Sequence, residues 1–137
     1  MSKISKFRFH LGYFLIAILL FLIEIVIAKY VMGWVRSYLG DVFVIMLLYS
    51  VIMTLTKLNK TLAVLTTLGL AFAIECSQYF KLAELLGFEK GSVAYIVLGN
   101  TFSVEDLVCY IAGGFIILII ESMTFRNNLY NRANRYT

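Results

Sequence analysis

Four apolar runs occupy most of this chain: residues 11–29, 39–56, 62–80 and 104–122. Each is close to the roughly twenty residues that a helix needs to cross the hydrocarbon of a bilayer. Lipid offers no hydrogen bonds, so a backbone placed there must satisfy its own polar groups, and a helix does so locally. The expectation is therefore an all-α integral membrane protein, a four-transmembrane-helix bundle that forms a single membrane domain over residues 1–137. The second run is short if it starts at Val42, so it is extended back to Leu39. The chain has no proline, so no span carries a proline kink.

Composition excludes the main rival class. Hydrophobic residues make up 61% and charged residues only 15%, too little polar surface for a soluble domain of this length. The first run is expected to be an uncleaved span and not a signal sequence. It is too long, and it ends in Ala28-Lys29-Tyr30 without a small-residue cleavage site. The net charge of +4 does not point to nucleic acid, because the basic residues lie in short loops and tails. The positive-inside bias accounts for them. Lys3, Lys6, Arg8, Lys57, Lys60, Arg126, Arg132 and Arg135 fall on one side, against Lys29, Arg36, Lys81 and Lys90 on the other. Both termini are thus expected in the cytoplasm.

The connections carry fewer signals. Tyr30, Trp34 and Tyr38 in the loop 29–40 suit an interfacial aromatic belt. Residues 57–60 form a tight polar turn, and the Asn59-Lys60-Thr61 sequon there is read as coincidence. Residues 81–103 are long but not plainly polar, and 93–98 are apolar yet too short to span. An interfacial or re-entrant segment between the third and fourth helices is expected. Cys76 and Cys109 lie in apolar runs without metal-ligand spacing, and His10 is the sole histidine. Buried free thiols, no metal and no cofactor are the reading.

Polar residues at one depth point to a site. Glu24 lies toward the end of the first span, Asp41 opens the second, Glu75 and Gln78 lie near the end of the third, and Glu105 and Asp106 open the fourth. Arg36 lies in the adjoining loop. The opposite halves of the spans look almost free of charge. Bland readings compete with this. Asp41 and Asp106 at helix starts suit capping, with Ser103 to Asp106 resembling a capping box. Arg36 suits a headgroup charge. Glu24 and Glu75 sit where the helix dipole disfavours a carboxylate, and an intramembrane acid is a functional candidate by default. Glu75 and Gln78 share a helix face. Asp106, Tyr110, Gly113 and Ile117 share another, where Gly113 admits a neighbouring helix.

Two resemblances follow from these residues. Glu75-x-x-Gln78, a loop, then Asp106-x-x-x-Tyr110-x-x-Gly113 resembles the VanZ-like membrane proteins, which usually carry Asn where Tyr110 stands and an Arg before the Asp. Over nearly the whole chain, Arg36-Ser37-Tyr38-Leu39-Gly40-Asp41, Glu75-x-x-Gln78-Tyr79, Leu86-Gly87 and Gly99-Asn100-Thr101-Phe102-Ser103 leading to Asp106 and Tyr110 resemble the small bacterial family called domain of unknown function 2809. That resemblance implies a multi-pass inner-membrane protein without an established activity. The VanZ-like one implies a link to lipoglycopeptide resistance.

The expected role is to bind or modify an envelope lipid or acylated glycopeptide. Glu75 and Asp106 are the candidate catalytic pair, since close carboxylates can divide acid and base roles. Glu24, Arg36, Asp41, Gln78 and Tyr110 are the candidate ligand-binding residues. No nucleophile constellation or phosphate loop argues for an enzyme. The competing readings are a structural or interaction protein, whose polar cluster only locks the bundle, and a proton-coupled solute transporter.

Overall fold

A computed structural model describes residues 9–98 and 101–135. The basic residues Lys3, Lys6 and Arg8, and Gly99-Asn100 of the long connection, lie outside the described residues. Every regular element within them is α-helical, and four helices are long and apolar enough to cross a membrane: α1 (Leu11–Tyr30), α2 (Trp34–Leu55), α3 (Lys60–Tyr79) and α6 (Val104–Ala133). Two short helices, α4 (Leu82–Leu85) and α5 (Val93–Leu98), lie between α3 and α6.

The ends of the helices differ from the sequence expectation for local reasons. The loop expected over residues 29–40 shrinks to Val31-Met32-Gly33, because Gly33 turns the chain at φ +75°, a conformation open to glycine. The sequence from Trp34 to Leu39 then joins α2 as its first turns. Asp41 is consequently interior to α2, and its capping reading is corrected. Asn59, read as part of a chance sequon, is the N-cap of α3, where its side chain accepts from the Leu62 N–H at 2.7 Å. Ser103 caps α6 in the same way through the Asp106 N–H at 3.4 Å. The polar tail expected after residue 122 continues as helix. At 30 residues α6 is about 45 Å long, well beyond the ~30 Å of a bilayer's hydrocarbon.

α2 is the central helix. It packs against α1, α3 and α6, while α3 also packs against α6. Ile45, Tyr49 and Met53 of α2 meet Ala63, Val64 and Ala71 of α3 and Tyr110 and Ile117 of α6 in the core. Adjacent glycines let α6 approach two helices at once. A Cβ on Gly113 would stand 3.1 Å from the Val42 carbonyl and from Ile45, and one on Gly114 would stand 3.2 Å from Leu68. Serine and threonine hydroxyls in this interior bond back to their own helices, as Thr54 does to the Ser50 carbonyl and Thr67 to that of Ala63. Large apolar side chains such as Leu15, Phe21, Phe115 and Ile119 point outward, as a lipid-facing surface requires.

Residues 81–98 turn three times through positive φ, at Lys81, Gly87 and Gly91. They place α4 and α5 against the end of α3 and against each other. Leu85, Leu86 and Val93 are exposed there. Both cysteines are free. Cys109 is buried as expected, but Cys76 lies on the outer surface of α3, which corrects the reading of two buried thiols.

Candidate functional site

α1 and α3 run toward one end of the bundle, and α2 and α6 run away from it. Each of these four helices brings an acid there, Glu24, Asp41, Glu75 and Asp106, and α6 adds the exposed Glu105, which accepts from the Ser103 hydroxyl at 2.8 Å. Asp41 and Asp106 lie within hydrogen-bonding reach of each other, with Glu75 and Glu24 in electrostatic reach of Asp41. Glu75 in turn senses Asp106. The acids form a row and not a cage: among the described residues, no three His, Cys, Asp or Glu side chains come together to hold a metal ion.

Glu75 is the most deeply placed, at 1% exposure. Its Oε1 accepts from the Tyr110 hydroxyl at 3.1 Å, and its Oε2 from the Ser103 backbone N–H at 3.4 Å. Both donors belong to the start of α6. Tyr79 and Phe102 hold that junction from outside, ring against ring at 5.4 Å. The contact with Ser103 also decides the fate of Asp106. In a full capping box, the acid three residues after the cap reaches back to the cap's own N–H. Glu75 takes that N–H instead, and Asp106 turns to Asp41.

Glu24 is half-buried beside Gly40 of α2, where a Cβ would lie 3.9 Å from its Oε2. Its Oε1 is buried and meets no hydrogen-bond donor. Gln78 is half-buried near Glu75 in sequence but gives it no hydrogen bond, and Arg36 is exposed in the first turn of α2. No ion pair joins Arg36, or any other basic side chain of the described residues, to the four acids. The structure therefore brings together Glu24, Asp41, Glu75, Asp106 and Tyr110, and leaves Arg36 and Gln78 at the margin. Two carboxylates about 4 Å apart repel by roughly 4 kcal/mol at an effective dielectric near 20. A row of this kind calls for protons or for a cationic guest.

The opposite end holds a second polar cluster, which corrects the expectation that those halves are almost free of charge. Glu121 of α6 accepts from the Tyr13 hydroxyl of α1 at 2.6 Å and from the Tyr49 hydroxyl of α2 at 2.9 Å. It also pairs with Lys60 of α3 at 2.6 Å. Here too every long helix contributes one side chain, but charge and hydrogen bonds are matched within the protein. The sequence signal was the shared depth of Tyr13, Lys60 and Glu121 near that end, masked because Glu121 falls at the edge of the apolar run.

Residues 30–114 match the family described as "Protein of unknown function (DUF2809)". No curated protein and no solved structure matches the chain.

Proposed function

The chain belongs to the DUF2809 family of unknown function, and from that premise we propose that it binds the polar head of an envelope amphiphile, a lipid or an acylated glycopeptide, at the acid row. The observation that carries this reading is the contrast between the two ends. Glu121 is matched by Lys60, Tyr13 and Tyr49. Among the described residues no cation pairs with the four acids at the other end, and Glu24 keeps a buried oxygen without a donor. A head bearing an amine or several hydroxyls would supply the missing donors, while the apolar surface of the bundle accompanies its acyl part.

The roles within the row differ. Glu75, with both oxygens used by α6, positions the start of that helix. Asp41, Asp106 and Glu24 are the residues that meet the guest. If the protein also modifies its guest, Asp41 and Asp106 are placed to share a proton as acid and base, a pairing that replaces the expected Glu75 and Asp106. Arg36, exposed at the same end, would receive an anionic group. The likeness of residues 75–113 to VanZ-like proteins supports an envelope ligand. The distribution of Lys and Arg supports a plasma-membrane protein with this end outward.

Native mass spectrometry of gently extracted protein tests the reading. Wild type should retain an amphiphile that Asp41→Asn/Asp106→Asn loses with helix content and melting unchanged. A double variant that keeps every adduct would sink it. The structural alternative has its own support in the saturated bonding of Glu75. It predicts no adduct that depends on Asp41 and Asp106, and a lower melting temperature for Glu75→Gln.

A further inference from the structure

At the end opposite the acid row, α1 and α2 part to leave an apolar groove of about 430 Å³. That is within the roughly 300–1,000 Å³ of small-molecule sites. Phe14, Ile18 and Phe21 line one wall at helical spacing, and Leu47, Val51 and Leu55 line the other. The groove exists because Ala17, buried between the helices, puts a methyl where its neighbours put aromatic rings. Its one polar lining residue, Thr54, is already satisfied. The hydroxyl donates to the Ser50 carbonyl at 2.7 Å, and the Thr54 carbonyl accepts from the His10 N–H at 2.9 Å. Nothing in the wall calls for water.

Lys57 lies two residues beyond Leu55, the last lining residue of α2. Thr56 and Lys57 border an adjoining recess with His10 and Met53. The two lysines of this turn differ in their commitments. Lys60 is held by Glu121, the one acid that the described residues place at this end. Lys57 is exposed and has no acidic partner there. An apolar slot with an uncommitted cation two residues past its end in the chain matches an anionic amphiphile.

We propose that this groove seats one anionic phospholipid, with an acyl chain between α1 and α2 and the phosphate at Lys57. The choice of an anionic lipid rests on the charge of Lys57, and the seat is independent of the acid row at the other end. A single basic residue near a bilayer surface favours an anionic lipid by about 1 kcal/mol, or about fivefold in affinity.

The test is native mass spectrometry of the full chain in mild detergent, titrated with phosphatidylglycerol and with phosphatidylcholine of the same acyl chains. One phosphatidylglycerol should stay bound per chain under conditions that strip phosphatidylcholine. Lys57→Gln should lower phosphatidylglycerol affinity about fivefold and abolish the preference. Val51→Trp, which fills the groove from its exposed edge, should weaken both lipids, with helix content checked by circular dichroism. Ile18→Trp repeats that test from the facing wall. Arg126→Gln, on a helix that does not line the groove, should change nothing. Equal retention of the two lipids, indifference to Lys57→Gln or to both groove-filling variants, or an equal loss in Arg126→Gln would overturn the proposal.

Discussion

Glu121→Ala removes the acceptor that ties three helices to α6. Two tyrosine bonds are lost, from Tyr13 at 2.6 Å and Tyr49 at 2.9 Å. Hydrogen bonds between helices in membranes average about 0.6 kcal/mol and reach ~1.7 kcal/mol, so the pair together contributes roughly 1–3 kcal/mol. The Lys60 ion pair adds less than its 2.6 Å separation suggests, because the lysine side chain is 42% exposed and recovers solvent when released. A screened pair of that kind is worth up to about 1 kcal/mol. The expected loss is about 1–4 kcal/mol, read as the unfolding free energy in mixed micelles under increasing denaturing detergent. The loss has a direction as well as a size. Among the long helices α1 packs only on α2, so the Tyr13–Glu121 bond is its tie across to α6. Tyr13→Phe should recover part of the Glu121→Ala loss, and the double variant should be no worse than Glu121→Ala. A Glu121→Ala protein within about 0.5 kcal/mol of wild type, or additive losses for Tyr13→Phe and Glu121→Ala, would refute this account.

Three further outcomes are expected. Gly113→Ala should destabilise by about 1–3 kcal/mol through the contact with the Val42 carbonyl, whereas Gly69→Ala, where nothing stands within 4 Å, should stabilise by up to about 1 kcal/mol; the same unfolding assay separates them. In detergent, a maleimide should modify Cys76 and spare Cys109 until the protein unfolds, which mass spectrometry of the labelled protein reads directly. With both native cysteines replaced by serine, Lys90→Cys should react with a membrane-impermeant thiol reagent added to intact cells and Lys57→Cys should not; the reverse pattern would invert the proposed orientation.

Several features of the site were legible because they depend on local chemistry. Glu24 and Glu75 stand out in any apolar run, since lipid is a costly medium for a carboxylate. Ser103 announced the start of α6, and the observed cap is there. Asp41 looks like a cap in the sequence because residues 30–40 look like a loop. Gly33 confines the turn to three residues and lengthens α2 backward past it. Arg36 is a candidate ligand-binding residue by charge and depth, and its place in the first turn of α2 leaves it exposed and without an ion pair to the acids. Glu121 was passed over because an acid at the end of an apolar run reads as a boundary.

The sequence by itself determined that four helices form and that they are long and apolar enough for a membrane. Length, hydrophobicity and the backbone's need for internal hydrogen bonds suffice for that. It also determined which residues share a face of one helix, through the helical repeat. Only the tertiary structure decided which faces meet. Rotation and depth of one helix against another follow from close contacts such as Gly113 on Val42 and Ile45, and Gly114 on Leu68. Those contacts turn Asp41 to Asp106, hand the Ser103 N–H to Glu75, and gather Tyr13, Tyr49 and Lys60 around Glu121. Helical periodicity carries no information on the register between helices, because that register is set by the shapes of two surfaces at once.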